Sequence, residues 1–235
     1  MKNLHIKGIQ KMSLVDFEPY AVTTLFFGNC NWRCPYCQNP DLITKFNELP
    51  DINPEEVLEF LKSRKKWIDG VCITGGEPTL NKDLPDFIKK IKEIGLLVKF
   101  DTNGSNPKML EHLIKDKIID YIAMDIKSSL EGYDNATKVK VNKGDIKKSV
   151  ELIKKKDIDY EFRITVVPDL FNKEDADKMG KWLKGAKRFY IQQFRGSMGV
   201  LDLGYANKNP FSAQELREFR GILKKYMGMV EIRGL

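Results

Sequence analysis

Apolar residues along this chain follow two rhythms in turn. Short runs rich in apolar, β-branched and aromatic residues, which suit strands, give way to stretches where apolar residues recur every third or fourth position, which suits helices with one buried side. The β-branched and aromatic run at 21–27 predicts a strand, and 55–67 predicts a helix with Val57, Leu58, Phe60 and Leu61 on its apolar side. The pair then repeats as strand 70–74 and helix 84–94, strand 96–101 and helix 108–115, and strand 119–125 and helix 146–156. Strand 160–167, closed by Pro168, precedes helix 173–183; strand 188–194 precedes helix 213–227, and 229–233 reads as a short extended tail.

Six strands alternating with six helices give a parallel sheet with crossover helices, and ligands then sit at the C-terminal ends of the strands. A closed eightfold barrel takes about 250 residues. Six units within 235 residues therefore predict an α/β fold of the (β/α)6 type, a partial TIM-like barrel open on one side. The expectation is a single domain over 1–235, with 1–18 as an N-terminal extension.

Composition narrows the partners. A hydrophobic content of 42% supports a substantial core, and no apolar run approaches the roughly 18 residues needed to span a membrane. Met1-Lys2-Asn3 is not followed by an apolar leader, so a cytoplasmic protein is expected. The formal charge of +7 is mostly lysine on helix faces, as in Lys154-Lys155-Lys156 and Lys224-Lys225. Without interleaved aromatics these read as a solvated surface, with no nucleic-acid and no membrane partner; an acidic docking partner stays open.

Chemistry concentrates in the string CNWRCPYC, which places Cys30, Cys34 and Cys37 directly after the first predicted strand. Three thiolates on one loop are soft ligands with one coordination position missing, which suits an iron–sulfur cluster whose last iron is open. A structural zinc site would need a fourth ligand, from Cys72, His5 or His112. A disulfide scaffold suits short, loop-rich secreted chains instead. Further on, Thr74-Gly75-Gly76-Glu77-Pro78 closes the second strand, with glycines that permit close backbone approach. The same string also reads as a strand-to-helix turn shaped by Pro78, with Asn81 capping the next helix. Asp101-Thr102-Asn103-Gly104 and Asp125-Ile126-Lys127 close the third and fourth strands on the same rim. They too have plainer readings, as a turn and a helix cap.

The CxxxCxxC string with Tyr36 before its last cysteine, followed by GGEP at a strand end, resembles the radical S-adenosylmethionine (SAM) superfamily. The resemblance implies a [4Fe–4S] cluster held by Cys30, Cys34 and Cys37 as the catalytic centre, and SAM bound at the open iron. It implies that Tyr36, Gly75 and Gly76 bind the cofactor and that Glu77 stands near the SAM ammonium. Within the superfamily, DTNG and D-x-K look like the activating enzymes of glycyl-radical proteins, such as pyruvate formate-lyase activating enzyme. Carried over, that likeness assigns a monovalent cation to Asp101, Thr102, Asp125 and the Ala123 carbonyl. Lys127 would contact the SAM carboxylate, Arg163 the ribose and carboxylate, and Arg195 the adenine; Asn39 matches the asparagine after the cysteine loop.

Gln38-Asn39 departs from the His-Asn usual in pyruvate formate-lyase activators. With the terminal VEIRGL it is more similar to the branch of anaerobic ribonucleoside-triphosphate reductase activating proteins. The implied function is an activase that cleaves SAM reductively and generates a glycyl radical on a partner protein. Flavodoxin or ferredoxin is the implied electron donor. The alternative is a small-molecule radical SAM enzyme such as 7-carboxy-7-deazaguanine synthase, which tends to carry Asp after the third cysteine.

Overall fold

The computed structural model describes residues 4–196 and 199–235. Eight strands form one sheet whose spatial order is the chain order: β1 (Ile6–Ser13), β2 (Val22–Phe27), β3 (Gly70–Gly75), β4 (Leu97–Thr102), β5 (Tyr121–Asp125), β6 (Asp159–Val166), β7 (Arg188–Gln193) and β8 (Met229–Arg233). β1 runs antiparallel to β2, and every later pair is parallel. Each crossover adds the next strand on the same side, so the sheet curls like a barrel. β1 and β8 remain its two edges and the sheet is not closed.

The main crossover helices are α2 (Pro54–Arg64), α3 (Leu84–Ile94), α4 (Pro107–Lys115), α6 (Lys143–Lys155), α7 (Lys173–Trp182) and α8 (Ala213–Leu223). Their starts follow local chemistry. Asn53, Asn106, Asn142, Asn172 and Ser212 each accept a backbone N–H from the first turn, satisfying donors that have no partner within the helix. α3 buries Leu84, Phe87, Ile88, Ile91 and Ile94 on one face and stops at Gly95, whose φ of 87° suits a residue without Cβ. Each such buried side chain contributes about 1.5–3 kcal/mol. Among the described residues no helix is long and apolar enough to cross a membrane.

The six expected strands are β2 to β7, within two residues at each end. The 229–233 tail is a true strand, paired in parallel with β7. β1 was not expected, and it draws part of the presumed N-terminal extension into the sheet. Its pattern IKGIQKMS lacks an apolar run because it is an edge with exposed Gln10, Lys11 and Met12, and edge strands tolerate polar residues. Two short helices, α1 (Pro40–Thr44) and α5 (Tyr133–Thr137), span only five residues each and are too brief for periodicity to reveal.

Alternation along the strands separates two chemistries. Leu25, Phe27, Val71, Ile73, Val98, Phe100, Ile122, Met124, Phe162, Ile164, Phe189 and Ile191 are essentially inaccessible to solvent and form one continuous core. Positions between them, including Lys99, Asp101, Asp125, Glu161, Arg163, Thr165 and Gln192, line cavities instead. A closed barrel fills this interior with branched apolar side chains. Here it is polar, and it leads to the strand ends where the cysteines lie.

Candidate active site

The cysteine loop is held from three sides by backbone hydrogen bonds. Gly28 N–H donates to His5 O just before β1 at 2.8 Å, and Arg33 N–H to Thr137 O of α5 at 2.9 Å. The segment after β7 closes the third side, with Leu201 N–H donating to Cys37 O at 3.1 Å and Asp202 N–H to Pro35 O at 2.9 Å. Trp32 packs edge-on against Tyr133, their rings 5.8 Å apart. A loop fixed this way presents its thiols without further folding.

Cys30, Cys34 and Cys37 line one cavity of ≈ 240 Å³. Burial pushes the Cys30 thiol up to about 12 and the Cys34 thiol to about 11, and raises Cys37 as well, while Lys127 pulls all three the other way. A metal binding here must displace three protons. The Tyr36 hydroxyl is buried beside Cys34 and, among the described residues, has no oxygen or nitrogen partner.

The second wall comes from the end of β3. Gly75 has a φ of 119°, and a Cβ on it would strike the Phe27 backbone; one on Gly76 would strike the Asn29 carbonyl. The glycines let β3 lie against the cysteine loop, where Gly76 N–H donates to Phe27 O and Glu77 N–H to Asn29 O, both at 2.8 Å. Glu77, expected near the SAM ammonium, lies behind the cavity lining. Its carboxylate does not face the cavity; it is fully buried and accepts Thr79 Oγ1 at 2.5 Å, Thr102 Oγ1 at 2.8 Å and Asn103 N–H at 2.6 Å. Burial raises its pKa against these four stabilising donors, counting Thr79 N–H at 3.1 Å. Glu77 braces the wall from behind. Asn81 does not cap α3: its Oδ1 accepts His5 N–H at 2.9 Å, its backbone N–H closes the short 3-10 turn Pro78–Leu80, and the residue before α3 is Asp83.

β4, β5 and β6 supply the charged floor. Arg163 Nε donates to Asp125 Oδ1 at 2.8 Å and its Nη1 to Asp101 Oδ2 at 3.1 Å, while Lys99 Nζ lies 2.9 Å from Asp101 Oδ1. Lys127 Nζ donates to Asp125 Oδ2 at 3.2 Å. Burial opposes ionisation of Asp125, but Arg163 and Lys127 overcome it and hold the carboxyl well below the usual range. The two carboxylates expected to share a monovalent cation are thus bridged by a protein cation. Thr102 Oγ1 is engaged with Glu77. Ala123 sits in the ladder opposite Asp101, outside the cavity lining.

Asn39 lines the cavity and its side-chain amide donates to Gly75 O at 3.4 Å. Arg195 does not line it. Its guanidinium turns to Gly234 O at 3.3 Å and borders an adjoining cavity of ≈ 880 Å³, which shares Arg163 and Gln192 with the first. Sequence reasoning missed Trp32, Thr74, Asn103, Thr165 and Gln192 as lining residues. Strand alternation could have found two of them, since Thr165 lies two positions beyond Arg163 and Gln192 near the end of β7.

Among the described residues no fourth ligand closes the thiol set. Cys72 belongs to a separate apolar cluster with Phe17 and Val22, His5 pairs with Asp51, and His112 with Asp116. Among the described residues no three His, Cys, Asp or Glu side chains converge as one metal ion requires. A cluster makes a different demand, since its ligands reach separate irons. Three thiols around a cavity, with a buried hydroxyl and an ammonium beside them, meet it.

The radical SAM superfamily model matches residues 24–183. A Methanocaldococcus jannaschii protein assigned by name to the glycyl-radical enzyme activating enzymes is 34% identical over 236 residues, covering 97% of this chain and 95% of its own. The pyruvate formate-lyase-activating enzyme of Clostridium pasteurianum is 34% identical over 190 residues, covering 77% of each chain. The crystal structure of Streptococcus suis SuiB superposes with a TM-score of 0.67 at 14% identity, covering 88% of this chain and 47% of that one, a likeness of fold.

Proposed function

Since this chain belongs to the radical SAM superfamily, whose members use a [4Fe–4S] cluster and SAM, we propose that it activates a glycyl-radical protein. When bound, the reduced cluster supplies the electron that splits SAM into methionine and a 5′-deoxyadenosyl radical. That radical would take one hydrogen atom from a backbone glycine of the partner, leaving 5′-deoxyadenosine and a glycyl radical. The observation that carries the reading is the convergence of Cys30, Cys34 and Cys37 with Asp101, Asp125, Lys127 and Arg163 on one cavity, in a chain matching an activase-named relative along nearly its whole length.

The side chains have separate tasks in this reading. The thiolates of Cys30, Cys34 and Cys37 would hold the cluster, which would supply an open iron for SAM. Lys127 and Arg163, already aimed into the cavity by Asp125, attract the SAM carboxylate. Tyr36, Asn39, Gly75 and Gly76 border the remainder of SAM, and Glu77 keeps that border rigid. Arg195, facing the adjoining cavity, is assigned to the incoming partner loop instead of adenine. A monovalent cation competes with Arg163 for Asp101, Thr102 and Asp125, and the potassium dependence of SAM cleavage reports which prevails.

The partner in this reading is an anaerobic ribonucleoside-triphosphate reductase or a pyruvate formate-lyase-like enzyme, the donor is a flavodoxin or ferredoxin, and the location is the cytoplasm. Anaerobic incubation of the iron-loaded chain with dithionite, SAM and each candidate partner tests it. A glycine-centred doublet in the electron paramagnetic resonance (EPR) spectrum of the partner is expected. Cleavage of SAM without a doublet on any such partner would move the assignment to a small-molecule substrate.

A further inference from the structure

Asn103 has no task in the resemblance, yet its backbone N–H and both ends of its side-chain amide are engaged. Its backbone N–H is taken by Glu77 Oε2 at 2.6 Å, and it is buried, 6% exposed. Its side-chain Oδ1 accepts the Ser105 backbone N–H at 2.9 Å. A backbone N–H can only donate, so the carbonyl oxygen must face Ser105 and the amide nitrogen must face the other way. There it meets Asn31 Oδ1 at 2.9 Å and Cys30 Sγ at 3.9 Å. Asn31 is fixed in turn, because its own Nδ2 donates to Ser105 Oγ at 2.9 Å.

We propose that Asn103 is a positioning residue that donates an N–H···S hydrogen bond to Cys30 and thereby raises the reduction potential of the bound cluster. The inference rests on the cluster of the preceding section. A Cys30 thiolate receives two donors, Asn103 Nδ2 and the Trp32 backbone N–H at 3.5 Å. Hydrogen bonds to cluster sulfurs stabilise the more negative, reduced state. The Asn103 donor is pinned by Glu77, Asn31 and Ser105, so it costs no reorganisation when the electron arrives. Asn103 thus links the buried Glu77 brace to the electronic properties of the metal site.

The test is an anaerobic redox titration of the iron-loaded full chain without SAM, followed by EPR, on wild type, Asn103→Ser and Asn103→Asp. Serine keeps an oxygen for the Ser105 turn but does not reach Cys30; aspartate keeps the shape and replaces the donor with an anion. At a fixed applied potential the ratio of reduced to oxidised cluster should fall about tenfold in Asn103→Ser, equivalent to about 59 mV for one electron, and further in Asn103→Asp. Wild-type midpoints in both variants, at wild-type iron content, overturn the inference and leave the cluster reading standing. A wild-type chain that takes up no iron overturns both. Should the variants lose iron, pulsed EPR on reduced wild-type protein carrying nitrogen-15 in the asparagine side-chain amides decides: a nitrogen coupling supports the bond and its absence refutes it.

Discussion

Glu77 Oε2 lies 2.6 Å from the backbone nitrogen of Asn103, so a fully buried carboxylate ties the end of β3 to the end of β4. Both oxygens are used only as acceptors, and two of the four donors, Thr102 Oγ1 and Asn103 N–H, belong to residues that line the cofactor cavity. Glu77→Gln places an amide donor against a donor in either orientation. The expected cost is about 2 kcal/mol in denaturant-induced unfolding, together with weaker SAM binding by equilibrium dialysis. Unchanged stability would show that the network is not formed in solution.

The thiols separate into two classes by position. Ser substitutions at Cys30, Cys34 or Cys37 should each reduce iron well below the about four atoms per chain of a complete cluster. Cys72→Ser, in the Phe17 and Val22 cluster away from the cavity, should leave iron content unchanged and act on stability alone. Colorimetric iron and sulfide assays on anaerobically reconstituted protein make the comparison.

Asp125 gives a pH signature in the metal-free protein. Arg163 and Lys127 hold its carboxyl below the usual value of 3.8, so the folded state favours the ionised form. The resulting stability is complete above the unfolded pKa of about 3.9 and is lost as pH falls toward the folded one. Asp125→Asn should therefore cost about 2 kcal/mol near neutrality, and its difference from wild type should shrink as pH drops below about 4. Urea unfolding at stepped pH measures this; a difference that grows on acidification contradicts the pairing.

Two glycines should respond in opposite directions to alanine. A methyl group on Gly76 meets the Asn29 carbonyl, which belongs to the backbone and cannot step aside, so Gly76→Ala should destabilise the fold and impair cluster loading. Gly221 lies within α8 with nothing near its absent Cβ. Gly221→Ala should add about 0.5–1 kcal/mol and leave iron content alone. Thermal unfolding with iron analysis reads both.

Most of the barrel was legible because β2 to β7 are short segments rich in β-branched and aromatic residues, apolar on the core side even where Lys99, Asp101, Glu161 and Arg163 interrupt them. β1 was hidden because an edge strand needs no such run, and α1 and α5 because five residues cannot show a helical period. At the site, motifs picked out residues that the strand ends bring to one rim, but not the directions of their side chains. Glu77 and Arg195 sit where their motifs put them along the chain, and each side chain is turned away by partners distant in sequence, Thr102 and Asn103 in one case and Gly234 in the other. The role of Asn103 is likewise set by Asn31, Ser105 and Cys30, contacts that exist only once two loops have met.

The most direct test of the account is the quantity of 5′-deoxyadenosine released when iron-loaded protein is reduced with dithionite in the presence of SAM, beside a Cys34→Ser control. Formation of 5′-deoxyadenosine and methionine in equal amounts by the wild type, and neither by the control, is the predicted result. A fully loaded wild-type protein that leaves SAM intact would contradict it.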